Sequence, residues 1–482
     1  MAVRSVVIVL PGLAGSELFL QDEIIWPGDG QDISSYPEEK LQILINKPLV
    51  PRGIVRSVLG IPVYQSLIDL LETLGYEEAP SKGPPSLIAF PYDWRQDLTL
   101  TAGKLADCII QIFSAFGGAC AITILAHSTG GLVARCLLES GEFDDVLGDA
   151  RSSISQLILI GTAGAGVPYV LSGIVGIDGF LMLTPAQAAR LAAAPKYPAA
   201  YQHLPAPGTK VVWDARARGQ SVDIYTSKVS ANLGFDSKHL DSAISFWSKL
   251  ALPFPPENSP SYFAFVGTRQ NTLTGFIYDS SSSGGAALSP QSSDCGGDNT
   301  VPIWSSDRPD LLARYVGGTH AFLFDDPGVV TTLLDMIPHI SKSSTKVANI
   351  NKRIAAAIDV STPSLILRAD SVNLEGPAKV VLNLHAGPSS LLIGEIVIER
   401  RPISARASKI GGNDLTQGKF ETVARLQLDL PIPPPSVYPL TVGTVSDYPA
   451  GQYRAYFLKK GDEEAAGRSA NFVIQETRAR DA

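Results

Sequence analysis

The stretch Ala121-Ile122-Thr123-Ile124-Leu125-Ala126-His127-Ser128-Thr129-Gly130-Gly131-Leu132-Val133 decides how the rest of the chain reads. The apolar run over residues 121–126 has the composition of a buried strand. From Gly130 to Glu139 the period turns helical, with Leu132, Val133, Cys136 and Leu137 on one stripe. Ser128 stands at the turn between them. A serine hydroxyl becomes a nucleophile when the backbone lifts it clear of the sheet, beside a base and free N–H groups. Such a turn strains the serine backbone, so the residues two before and two after must be nearly free of side chain. Here they are Ala126 and Gly130. As a short pattern this is weak; between a strand and a helix it is much stronger.

Outward from this turn, strand-like runs at 5–10, 86–90, 156–160, 262–266 and 313–316 alternate with helical patterns at 63–74, 102–116 and 327–336. That alternation predicts an α/β fold, with a doubly wound, mostly parallel sheet and helices on both faces. Two insertions interrupt it, at about 21–60 and 161–255. The first carries Trp26-Pro27, Gly28 and Gly30 with a scatter of exposed apolar residues. The second is apolar and Gly-rich over 167–183. It reads as a lid over a greasy substrate in preference to an ordinary subdomain core. Residues 280–285 are expected to form a flexible loop.

After a polar Ser/Lys stretch at 341–345 the character changes. Period-2 alternation appears at 364–369, 378–384, 393–399, 422–430, 452–458 and 470–474, separated by Pro-rich turns such as 431–439. This predicts a C-terminal all-β sandwich of immunoglobulin type. The expected domains are 1–345 for the α/β unit, with its cap insertions, and 363–482 for an accessory sandwich. A linker at 346–362 contains a short helix at 347–357. A length of 482 residues is enough for more than one core.

Hydrophobic residues make up 45% and charged residues 18%, the balance of a folded globular chain. A net charge of -8 with no Lys/Arg cluster excludes the nucleic-acid-binding class. The chain runs from Met1-Ala2-Val3-Arg4 straight into the 5–10 strand, whose apolar stretch is too short for a secretion signal. No run approaches the ~20 apolar residues that span a bilayer. A cytoplasmic location is the default expectation. Cys108, Cys120, Cys136 and Cys295 suggest neither a disulfide framework nor a metal site.

A nucleophilic serine needs a base and an orienting carboxylate, which in such sheets follow it at the ends of later strands. Of six histidines, His127 adjoins Ser128 and points away from its hydroxyl. His203 and His239 fall in the second insertion, His339 just past a helix and His385 in the sandwich. His320 remains, in Gly317-Gly318-Thr319-His320 after the 313–316 strand. Its ordinary alternative is a surface-loop histidine. Asp298, in Gly296-Gly297-Asp298-Asn299-Thr300-Val301-Pro302, precedes it by 22 residues. Asp294 and Asp307, in more open polar sequence, are the alternatives. Two N–H groups must also face the oxyanion. Thr129 offers one at a helix N-terminus. Leu13, in Pro11-Gly12-Leu13-Ala14-Gly15, is the choice for the other.

Several of these segments together resemble the lecithin:cholesterol acyltransferase-like family of α/β-hydrolases, which includes lysosomal phospholipase A2. Val9-Leu10-Pro11-Gly12-Leu13-Ala14-Gly15-Ser16 is similar to that family's oxyanion loop, and Pro91-Tyr92-Asp93-Trp94-Arg95 to its "PYDWR" signature. The Ser128 turn, the stretch from Tyr197 to Pro205, the Asp298 loop and the His320 loop follow in consistent order over residues 1–340. The resemblance implies an α/β-hydrolase unit with Ser128, Asp298 and His320 as triad and Leu13 and Thr129 as oxyanion donors. Two departures stand out: the cap lacks the paired cysteines of animal members, and the C-terminal sandwich lies outside the likeness. Asp93-Trp94-Arg95 reads as an ion pair and packed ring that fix a loop, in preference to a substrate contact.

The resulting expectation is a serine acylhydrolase, an esterase or lipase acting on a hydrophobic carboxylic ester through an acyl-enzyme, without metal or organic cofactor. Its rivals are an acyltransferase using an alcohol acceptor and a catalytically idle binding protein on the same scaffold. The expected partners are a small-molecule or lipid ester and a transiently touched membrane surface, with protein contacts through the sandwich and no nucleic acid.

Overall fold

A computed structural model of the chain describes residues 4–28, 36–58, 61–217, 219–250, 260–308 and 311–340, and seven strands beyond them. The expected helix at 347–357 lies outside the described residues. Two compact units are present, Met1–Asn351 and Lys352–Ala482.

The first unit is built on six strands, in the order Leu312–Val316, Ser261–Gly267, Ile154–Ile160, Cys120–His127, Arg4–Leu10 and Leu87–Ala89. Every neighbouring pair runs parallel. Val6, Ile8 and Leu10 face a core layer shared with the helices Leu98–Ala115 and Thr129–Glu139. The intervening Val7 and Val9 are equally buried, so both faces of the sheet are covered. This is the doubly wound α/β sheet expected.

Two helices differ from their expected form. Leu98–Ala115 starts a turn before residue 102, because the Asp97 side chain accepts from the Thr99 N–H and caps it. It is long and apolar enough by composition to cross a membrane. Leu98, Ala102, Leu105, Ala106 and Ile109 spend that apolarity in the core against the sheet. Thr129–Glu139 is buried on every face, not along one stripe. Its polar members are accommodated by pairing: Arg135 and Glu139 meet at 3.0 Å, and Arg308 joins the same carboxylate at 3.0 Å.

The described residues of both insertions form regular elements. The first begins earlier than expected: Ser16–Leu20, Glu23–Trp26 and Val50–Ile54 form an antiparallel sheet beside the helix Glu38–Asn46. Val50 is exposed as expected, but most apolar residues there are buried instead: Ile25, Trp26, Tyr36, Leu41 and Leu44 pack with Tyr92 and Trp94. The second supplies the helices Pro168–Ile174, Pro185–Ala192, Ala199–Gln202, Ser227–Leu233 and Ser237–Lys249. It also exceeds its expected bounds. Val212–Asp214 joins Gln270–Tyr278 and Leu288–Gly297 in a second sheet, so residues beyond the fifth central strand belong to the cap. The expected loop at 280–285 is the connection of that hairpin; it turns through a short 3-10 helix, Gly284–Ala287, with Ala287 buried. Most apolar cap residues thus form ordinary subdomain cores.

In the second unit, Ser364–Arg368, Lys379–His385 and Val437–Thr444 form one antiparallel sheet. Glu421–Leu430, Leu392–Arg401, Gly451–Lys459 and Ala470–Ile474 form another. Val437–Thr444 is a strand whose first residues fall within the expected Pro-rich turn at 431–439. It lies at a sheet edge, where Pro439 can pair without donating.

Candidate active site

The C-terminal ends of central strands, with the end of the Leu288–Gly297 strand for Asp298, bring the candidate residues together. At Ser128 the chain turns from strand to helix with φ 53° and ψ −119°, a conformation that a residue with a side chain adopts only under strain. The Ser128 N–H donates to the Ile160 carbonyl at 2.9 Å, which fixes the turn to the neighbouring strand. A Cβ on Gly130 would stand 2.6 Å from the Leu10 carbonyl oxygen, so only glycine allows this close approach.

The His320 imidazole spans two partners. Its Nε2 is 2.9 Å from Ser128 Oγ, and its Nδ1 is 2.8 Å from Asp298 Oδ2. Asp298 is fully buried, and its second oxygen, Oδ1, accepts from the N–H groups of Thr300 and Val301 at 3.0 and 2.7 Å. The His320 N–H donates to the Asp298 carbonyl at 2.8 Å, tying the two loops through the main chain as well. Asp294 is exposed in the Leu288–Gly297 strand, and Asp307 follows the short helix Ile303–Ser306; the His320 hydrogen bond goes to neither.

The Pro11–Gly15 loop runs directly past the serine. A Cβ built on Gly12 would lie 2.9 Å from Ser128 Cβ and 3.3 Å from its Oγ. The Gly12 N–H donates to the Tyr64 hydroxyl at 2.7 Å. Among the described residues, neither the Leu13 N–H nor the Thr129 N–H meets an acceptor. Thr129 is also the first residue of its helix, where the dipole favours negative charge.

Two histidines set aside on sequence grounds, and one tyrosine, prove to belong to the surroundings of Ser128. His127 Nδ1 is 2.7 Å from the Tyr64 hydroxyl, and its Nε2 is 3.0 Å from the His320 carbonyl oxygen. His203 Nε2 is 2.7 Å from Thr129 Oγ1, and its Nδ1 is 2.6 Å from the Ala199 carbonyl oxygen. A carbonyl can only accept, so the proton of His127 is on Nε2 and that of His203 on Nδ1. Burial holds both imidazoles neutral. It pushes His127 well below the usual histidine value, reinforced by His320, and brings His203 down to about 4. Apart from the local His203–Ala199 bond, these contacts are long-range, and no local pattern announces them.

A partly open cavity lies against the Pro11–Gly15 loop, lined by Leu13, Trp94, Tyr169, Phe180, Leu191 and Tyr197 among others, nearly all apolar. Arg95 is held at its wall. The guanidinium grips Asp93 through two bonds of 2.8 and 2.7 Å, donates to the Leu44 carbonyl and lies 4.1 Å from the Tyr197 ring centroid. Asp93 and Arg95 therefore fasten the first insertion to the core, while Trp94 also faces the cavity. Among the described residues no three His, Cys, Asp or Glu side chains converge on a metal-sized point.

No protein-family model matches the sequence, and no curated protein matches it. Solved structures similar to the chain include mature lipase BlEst2 from Bacillus licheniformis, at 13% identity over 70% of this chain and 94% of that one, with a TM-score of 0.30. The phospholipase PlaB from Legionella pneumophila is 10% identical over 98% of this chain and 89% of its own, with a TM-score of 0.31. The product of gene lin2722 from Listeria innocua is 10% identical over 70% and 96%, with a TM-score of 0.29. Likeness at this level leaves the chemistry to be read from the side chains.

Proposed function

We propose that the chain is a serine acylhydrolase that cleaves a hydrophobic carboxylic ester. The observation that carries the reading is the line Ser128 Oγ–His320 Nε2 at 2.9 Å and His320 Nδ1–Asp298 Oδ2 at 2.8 Å, set on a strained strand-to-helix turn. Ser128 Oγ attacks the ester carbonyl while His320 Nε2 takes its proton. The N–H groups of Leu13 and Thr129 receive the negative oxygen of the tetrahedral intermediate. Asp298 keeps the His320 proton on Nδ1 and stabilises the imidazolium. His320 returns the proton to the leaving alcohol, and water then releases the acyl group by the same steps in reverse. The apolar cavity beginning at Leu13 supports an acyl chain of lipid character as the bound portion. The buried Asp93–Arg95 clasp and the order of the loops support membership of the lecithin:cholesterol acyltransferase-like group. On this reading Met1–Asn351 is the catalytic unit, and the two antiparallel sheets of the second unit form an immunoglobulin-type accessory module.

The test is turnover of p-nitrophenyl esters of graded chain length by the full chain and by Ser128→Ala, together with labelling by a fluorophosphonate. Ser128→Ala is expected to abolish labelling and to lower kcat by roughly 10⁴- to 10⁶-fold. Retained turnover in that variant defeats the reading. A long-chain alcohol in the assay separates hydrolysis from acyl transfer by the product formed.

A further inference from the structure

Ser128 has to meet two loops of independent origin, the Gly12–Leu13 loop and the His320 loop. A chain of three hydrogen bonds joins them without touching the Ser128 hydroxyl. The Gly12 N–H donates to the Tyr64 oxygen at 2.7 Å, the Tyr64 hydroxyl donates to His127 Nδ1 at 2.7 Å, and His127 Nε2–H donates to the His320 carbonyl at 3.0 Å. The direction is forced from the carbonyl end, and each hydrogen in the chain has one acceptor. The rings leave little room for another arrangement. His127 packs on His320 with centroids 4.8 Å apart, and Tyr64 and His127 both pack on Phe324, at 5.3 and 5.4 Å. Tyr64 and His127 are buried, and neutral His127 is the state in which one ring nitrogen accepts while the other donates. The bond to Tyr64 occupies the Gly12 N–H, leaving the next one along, at Leu13, for an oxyanion.

We propose that Tyr64 and His127 are positioning residues that hold the oxyanion loop and the base loop in fixed register across Ser128. This rests on the reading of Ser128, His320 and Asp298 as catalytic. The relay has its effect in the transition state, when the oxyanion donors and the imidazole must engage one carbonyl together. A displacement of about 1 Å in such a constellation costs on the order of a hundredfold in rate.

Tyr64→Phe keeps the ring and removes only the oxygen, leaving the Gly12 N–H and His127 Nδ1 without their partner. Turnover of a short p-nitrophenyl ester is measured with active sites counted by fluorophosphonate stoichiometry. The expected result is a fall in kcat per labelled site of roughly ten- to a hundredfold, with KM within about threefold of the parent. A merely structural role would lower the labelled fraction and the melting temperature while leaving kcat per labelled site unchanged, and that outcome overturns the proposal. His127→Gln and His127→Leu give a second route should Tyr64→Phe not fold. Gln retains a donor for the His320 carbonyl and Leu does not, so kcat per labelled site is expected to fall in the order parent, Gln, Leu. A Leu variant within twofold of the parent overturns the proposal too. Failure of the underlying reading shows elsewhere, as turnover that survives Ser128→Ala.

Discussion

Asp298→Asn replaces one carboxylate oxygen by an amide nitrogen at nearly constant volume, and the structure dictates which one. Oδ1 accepts two main-chain N–H bonds, at 3.0 Å from Thr300 and 2.7 Å from Val301. An amide turned the other way would leave both donors facing an NH₂ group, at roughly 1–3 kcal/mol for the buried Val301 N–H alone. The oxygen therefore stays where it is, and the nitrogen faces His320. An NH₂ donates, so His320 Nδ1 has to accept and its proton moves to Nε2. That nitrogen then donates to Ser128 Oγ and cannot take a proton from it. A wrong tautomer of this kind costs about 10⁴ in kcat, or roughly 5.5 kcal/mol at 1.36 kcal/mol per decade. The assay is initial-rate hydrolysis of a p-nitrophenyl ester from pH 6 to 9, with thermal unfolding in parallel. A nearly unchanged melting temperature is expected, because the hydrogen bonds around residue 298 are kept in number. Asp294→Asn, in the exposed strand, is expected to stay within twofold of the parent. An Asp298→Asn enzyme with more than about a tenth of parental kcat refutes the reasoning.

Acid should loosen the fold through His203. Its folded value, near 4, lies below the value of about 6.5 it has when unfolded, so the unfolded chain binds more protons in between. The stability from its neutral form is complete above pH 6.5 and is lost as the pH falls toward 4, about 2 kcal/mol of it between pH 7 and 5. Urea unfolding across that range should show a shallower pH slope in His203→Gln; an identical slope rules out the neutral-imidazole account. Arg95→Met leaves Asp93 buried without its cation and should cost about 3–5 kcal/mol of stability, read as a lower melting temperature. The kcat per labelled site of whatever remains folded should change little, and a large loss there would make Arg95 a substrate contact instead of a clasp.

The central sheet was legible because strands buried on both faces must be apolar throughout. Val6-Val7-Ile8-Val9-Leu10 and Leu157-Ile158-Leu159-Ile160 are such runs, and they need no alternation to be recognised. That Ser128, His320 and Asp298 come together was legible too, because a strand-to-helix turn and two Gly-Gly loops leave few candidates of the right chemistry. The Leu288–Gly297 strand was not. Its Ser, Pro, Gln and Asp residues are mostly exposed and have no strand character of their own; pairing with Gln270–Tyr278 holds them. The start of the Leu98–Ala115 helix is signalled by Asp97, an N-cap residue that the stronger apolar period further along overshadows. Tyr64, His127 and His203 were beyond sequence reading, since the contacts that draw them to Ser128, with Gly12, with one another, with Thr129 and with His320, span 52 to 193 residues and only the folded sheet brings them close.

His320 hangs from an edge strand of the central sheet. Leu312–Val316 is five residues long, bonds to the sheet on one side only, and leaves Leu312 76% exposed. Ser128, by contrast, follows the Cys120–His127 strand, which has partners on both sides. Border strands separate from a sheet at lower cost than interior ones. On warming, the imidazole should therefore drift from its serine while the interior stays intact. Heat inactivation should set in several degrees below the main melting transition and reverse on cooling.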